Sequence, residues 1–184
     1  MAREIETKCI HLEEEENSIN HYGAISYPIY QSATYAHPGV GQSTGYDYSR
    51  LQNPTREHLE KTVASLENGI DALAFSSGMA AITLMMELFK PGDHLIVDAD
   101  LYGGSIRLFN HVSEKNRIEF SSVDCHNENV AAYIRENTKA VYIETPTNPM
   151  MNVTDIKALA EITKKHNILL IVDNTFYLHI SRIH

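Results

Sequence analysis

Residues 168–176 read Ile-Leu-Leu-Ile-Val-Asp-Asn-Thr-Phe. The five apolar residues Ile168 to Val172 are too short a run for an ordinary helix, and they match a strand buried on both faces. The run delivers an acid, Asp173, at its tip. A carboxylate there either meets water or pairs with something positive. No lysine follows it anywhere in the chain.

Working back from this strand, the same rhythm repeats. Thr154-Asp155 opens a helix whose apolar side is Ile156, Leu159, Ala160 and Ile162, and Ala140 to Ile143 is another strand. Further upstream come a helix around Val130 to Glu136, a strand from Ile118 to Val123, and a helix from Ser105 to Glu114. The turn Pro91-Gly92-Asp93 precedes a strand at Leu95 to Val97, Gly78 to Phe89 reads as a helix, and Ile70 to Phe75 as a short strand. Asn53-Pro54 is an N-cap followed by proline at the first helical position, with Leu59, Val63 and Leu66 on one face and Gly69 available to end the helix. Such alternation predicts an α/β fold, a mainly parallel sheet with helices on both faces. Ligands in such sheets gather at the carboxyl ends of the strands.

Residues 1–50 break this rhythm. An acid run, Glu13 to Glu16, is the kind of stretch that forms a solvated face, and Tyr22 to Tyr48 is rich in Tyr, Gly, Ser and Pro, as extended or looped chain is. With 184 residues and 43% apolar composition the chain has material for a real core. A net charge of −9 argues against nonspecific nucleic-acid binding and against an anionic membrane surface. No apolar run approaches the roughly 20 residues of a membrane span, and Met1 to His11 has no apolar core of signal-peptide length. Cys9 and Cys125 have neither metal spacing nor a dense disulfide pattern, so a cytoplasmic protein with reduced thiols is expected. The ten histidines show no metal-ligand spacing.

Five segments carry chemistry. Ser76-Ser77-Gly78-Met79 joins a strand to a helix, where unpaired N–H groups and serine hydroxyls make an anion seat or simply a capped helix start. Tyr102-Gly103-Gly104-Ser105 sets a tyrosine beside two glycines, free to lay its ring against a planar ligand or to serve as an ordinary turn. Glu144-Thr145-Pro146-Thr147-Asn148-Pro149 is stiffened by two prolines and offers a directed amide at Asn148. Asp173 suits a pyridine nitrogen, which a carboxylate keeps protonated, and Thr175 adds a hydrogen bond there. Tyr46-Asp47-Tyr48-Ser49-Arg50 supplies a phosphate fork at Arg50 and a donor at Tyr48, or else a surface loop.

In this order and spacing the segments resemble the Cys/Met-metabolism family of pyridoxal-phosphate (PLP) enzymes, which includes cystathionine gamma-synthase and the cystathionine lyases. The resemblance covers about Tyr22 to Phe176 and rests on residues 46–56, 76–82, 102–105, 144–149 and 172–176. It implies the aspartate-aminotransferase-like architecture (fold type I). Gly78 and Met79, with Ser77, would bind the cofactor phosphate, and Tyr102 would stack on the ring and stand as a candidate acid or base. Asn148 would lie near the ring hydroxyl, Asp173 would pair with the ring nitrogen, and Thr175 would lie beside it. Tyr48 and Arg50 would reach the phosphate of a neighbouring subunit from an N-terminal arm, residues 1–50. The working unit would then be a homo-oligomer, a dimer or tetramer, acting on a small amino-acid substrate.

Gly104 leans toward cystathionine-type members, since methionine gamma-lyases usually carry cysteine there. O-acetylhomoserine sulfhydrylase is the other relative to weigh. Residues 51–176 would form part of the PLP-binding domain, and residues 177–184 match the family poorly. The family's Schiff-base lysine would follow Phe176, so the resemblance implies a chain cut short by a frameshift or early stop. Such a chain would hold PLP noncovalently at best, either as a non-catalytic binding fragment or as a nonfunctional remnant.

Overall fold

The computed structural model describes residues 4–10, 24 and 26–177, so the acid run Glu13 to Glu16 and the tail beyond Tyr177 lie outside the described residues. The chain divides into two compact units, residues 1–75 and 76–184.

The second unit is built on four parallel strands, β1 (His94–Asp98), β2 (Glu119–Val123), β3 (Thr138–Glu144) and β4 (Leu169–Asp173), in the order β2-β1-β3-β4. Its helices lie on both faces, as strand alternation dictates. Leu95, Val97, Ala140 and Tyr142 point to one core with Phe109 and Val112, while Ile96, Val141 and Ile143 point to the other with Leu159. Gly92, at φ 89°, makes the turn into β1 and donates its N–H to Arg117 at 2.8 Å. Ser77 and Asp155 cap the helices that follow them through bonds to Ala80 and Ala158.

In the first unit the short helix α1 (Ile5–Lys8) precedes α2 (Pro54–Leu66), whose Asn53 cap accepts the Thr55 N–H. The second unit adds α3 (Gly78–Met85), α4 (Gly103–Asn116) and α5 (Ile156–His166). Among the described residues no helix is long and apolar enough to cross a membrane.

Five expectations are corrected. Ile70 to Phe75 is not a strand: among the described residues it has no ladder partner, the Ala72 and Ala74 N–H groups go to Asp71 and Glu60 carboxylates, and Ile70 is fully exposed. Local β-propensity cannot form a strand without a neighbour to pair with. Val130–Tyr133 forms only a 3-10 turn capped by Asn129, and the helix from Gly78 stops at Met85 before a second 3-10 turn, Met86–Leu88. Asn68 at φ 51°, not Gly69, takes the left-handed position after α2. Finally, among the described residues β4 pairs on one side only, with β3, and Leu169 is half exposed, so the strand that ends at Asp173 is not buried on both faces.

Candidate functional site

The strand order creates the site. From β1 the chain moves outward to β2, then returns to β3 on the other side of β1, so the loops leaving β1 and β3 diverge at their carboxyl ends. This is the switch point at which open α/β sheets form a crevice. Both loops carry residues singled out above, and Glu144, the last residue of β3, ties them together. Its Oε2 accepts the Tyr102 N–H at 2.7 Å and its Oε1 accepts the Asn148 N–H at 3.0 Å. Burial pushes the Glu144 carboxyl above its ordinary value, and these two donors oppose that push. Asp100 makes a second tie, accepting from Thr147 Oγ1 at 2.6 Å and from Asn152 Nδ2 at 3.0 Å.

One strand further over, Asp173 is held at both carboxylate oxygens. Its Oδ1 accepts the Thr175 hydroxyl at 2.6 Å and the Thr175 N–H at 3.2 Å. Its Oδ2 accepts the Tyr142 phenol at 3.1 Å. Next to it, Asn174 donates its side-chain amide to the Thr145 carbonyl, while its own Oδ1 is buried without a partner among the described residues.

A pocket of about 280 Å³ opens here, walled by Gly78, Ile82, Tyr142, Asp173, Asn174 and Thr175. Its volume is near the lower end of ligand pockets, roughly 300 Å³. The first N–H groups of α3, at Gly78 and Met79, have no carbonyl within the helix to receive them. A Cβ added at Gly78 would meet nothing within 4 Å, so protein packing leaves that space open. At Gly104 the opposite holds: a Cβ would stand 2.4 Å from Tyr102 Cε1 and 3.0 Å from Met79 Sδ. The Tyr102 ring therefore lies against the backbone of α4 only because residue 104 has no side chain.

Gly78, Asp173 and Thr175 thus share one pocket, while Ser77 and Met79 flank Gly78 in the chain. Tyr102 and Asn148 are joined to each other through Glu144. Tyr48 and Arg50 belong to the first unit. The Arg50 guanidinium carbon sits 4.8 Å from the Tyr48 ring centroid. Their turn is held from beneath by Asn53, which donates to Ser49 Oγ at 3.0 Å and to the Tyr30 carbonyl at 3.1 Å, and by Arg56, which donates to the Leu51 carbonyl. Reading the sequence missed Glu144 and Tyr142 as site residues. Glu144 stood inside a noted motif, and a buried acid at a strand end was a usable signal. Tyr142 gave none, because a tyrosine inside an apolar strand reads as core.

Comparison with known proteins identifies the family and the fold. The family model described as Cys/Met metabolism PLP-dependent enzyme matches residues 6–180. The chain is 51% identical to a cystathionine gamma-synthase/O-acetylhomoserine (thiol)-lyase of Bacillus subtilis over 96% of its own length and 47% of that protein's. It is 54% identical to a cystathionine gamma-lyase of the same organism, over 84% of this chain and 41% of that one. Among solved structures, cystathionine gamma-lyase from Lactobacillus plantarum complexed with L-serine superposes with a TM-score of 0.87 at 43% identity, covering 96% of this chain and 46% of that one. Cystathionine gamma synthase from Xanthomonas oryzae, in complex with aminoacrylate and cysteine, gives 0.88 at 35% identity, covering 97% and 46%. The chain spans about half the length of the curated relatives it matches. With a family model covering nearly all of it, this chain belongs to the Cys/Met metabolism family of PLP-dependent enzymes.

Proposed function

We propose that this chain is the N-terminal, cofactor-cradling part of a PLP enzyme that makes or breaks C–S bonds in cystathionine-type amino acids. The observation that carries the reading is Asp173, fixed at both oxygens on the wall of a pocket whose other side is the start of α3. The donor set suits PLP. Gly78 and Met79 N–H groups with the Ser77 hydroxyl would take the phosphate, and Asp173 would face the ring nitrogen with Thr175 beside it. Tyr102 would cover the ring and serve as acid or base, and Asn148 would meet the ring hydroxyl. Tyr48 and Arg50 would serve the phosphate of a second copy, which makes the working unit a homo-oligomer.

When bound, PLP supplies an electron sink that lets a substrate's α-carbon lose a proton so that a β or γ substituent can leave or be replaced. This chain's own part is to bind, orient and keep the ring nitrogen protonated. Among the described residues no lysine lines the pocket, so these residues would hold the cofactor without a covalent bond. The proposed compartment is the cytoplasm, where the free thiols of Cys9 and Cys125 stay reduced.

Equilibrium titration with PLP, followed by gel filtration and borohydride treatment, tests this. The expected result is saturable PLP binding that dialysis reverses and no covalent label. A labelled lysine would overturn the noncovalent assignment, and no binding at millimolar PLP would overturn the cofactor site.

A second reading keeps the cofactor site and changes the substrate: O-acetylhomoserine in place of cystathionine, favoured by the double name of the Bacillus relative.

A further inference from the structure

Tyr142 lies in the middle of β3, almost wholly buried, with its ring edge-on to Phe109 at 5.1 Å and 82°. Phenylalanine would fill the same space. What the hydroxyl adds is a bond to Asp173 Oδ2 at 3.1 Å, made across to the neighbouring strand, with the Ser105 hydroxyl of α4 beside it. A buried phenol needs an acceptor, and here the acceptor is the one carboxylate on the pocket wall. Thr175 holds the other oxygen from the turn beyond β4. The carboxylate plane is therefore set from two sides, by a strand and by a turn.

We infer that Tyr142 is a positioning residue, whose O–H fixes the orientation of Asp173 toward the cofactor's ring nitrogen. This rests on the reading of Asp173 given above. The phenol stays a donor throughout, since burial and the nearby Asp173 charge push its ionisation well above the ordinary value. The other acid next to Asp173 is Glu144, its register partner on β3, whose oxygens are taken by the Tyr102 and Asn148 amides. Tyr142 and Thr175 are thus the donors that offset that neighbouring acid. A phenol that merely fills the core would leave Asp173 chemistry unchanged when removed.

The test uses the full chain, Tyr142→Phe, and PLP labelled with nitrogen-15 in the ring. In the parent the ring nitrogen should hold its proton to a pH about one unit higher than in the variant, the effect of losing one hydrogen bond to a charged group. Affinity for PLP should fall about five- to tenfold, with the fold retained by circular dichroism. Equal ring-nitrogen titration in both proteins would overturn the inference while leaving the cofactor site intact. Should the parent not bind PLP, the cofactor reading fails, and the Asp173 carboxyl carbon-13 chemical shift of the two apo proteins at neutral pH decides the positioning role. A displaced resonance in Tyr142→Phe supports it, and coincident resonances overturn it.

Discussion

The backbone N–H of Tyr102 donates to Glu144 Oε2 at 2.7 Å, across forty-two residues of chain, and the other oxygen of the same carboxylate takes the Asn148 N–H. One buried acid thus sets the relative position of two loops at the switch point of the sheet. Glu144→Ala should cost about 3 kcal/mol, because it strands two N–H groups as well as losing their bonds. Urea unfolding measures this, and a loss below about 0.5 kcal/mol would show that water replaces the carboxylate freely.

Gly104 admits the Tyr102 ring. Gly104→Ala should swing that ring aside with little cost in stability, since Tyr102 is 45% exposed and has room to move. PLP affinity should drop about three- to tenfold if the ring is the stacking platform. Fluorescence titration reads this directly, and unchanged affinity would assign the stacking surface to another residue.

Two buried groups set opposite pH trends. His94, enclosed between Thr138 Oγ1 at 2.8 Å and Ser121 Oγ at 2.9 Å, is held below its ordinary 6.5, first by burial and then by the Arg135 charge. The folded state binds that proton less readily than the unfolded one. His94 therefore stabilises fully above pH 6.5 and less as pH falls below it. Asp98 is raised above 3.8 by burial, so its contribution is greatest at low pH and declines as pH rises through the raised value. Relative to the parent, Asp98→Asn should gain stability from pH 4 to pH 7, while His94→Gln should lose its advantage of neutral over acid pH. Denaturant unfolding across this range decides both, and parallel curves for parent and variant would refute either.

Asn53 does two jobs, capping α2 through the Thr55 N–H at 2.9 Å and propping the Tyr48–Arg50 turn through its side-chain N–H groups. Asn53→Ala should cost about 2 kcal/mol and Asn53→Asp roughly half of that, because aspartate keeps the cap acceptor and loses the donors. Thermal unfolding that ranks the two variants equally would show that the donors contribute nothing.

Much of this molecule was legible along the chain because the relevant forces act over a few residues. The caps at Asn53, Ser77 and Asp155 are bonds to backbone two or three positions ahead. The apolar run Leu95 to Val97 marked β1 as a strand, and Asp173 and Asn148 were expected at or just beyond the carboxyl ends of strands. The same local reasoning failed wherever pairing across the fold was needed. Among the described residues Ile70 to Phe75 has strand composition and no strand beside it, and β4 pairs only with β3 although its apolar run reads as interior.

By itself, then, the sequence determined the alternating α/β plan, the family resemblance, and which residues stand at strand ends. Tertiary structure alone decided what each of those residues is free to do. Glu144 and Asp173 are register partners and both acids, yet one spends its oxygens on the Tyr102 and Asn148 amides while the other faces a pocket, held by Tyr142 and Thr175. The bonds that separate their roles span 42 and 31 residues. No local pattern encodes such partners, because they meet only when the sheet brings β1, β3 and β4 side by side.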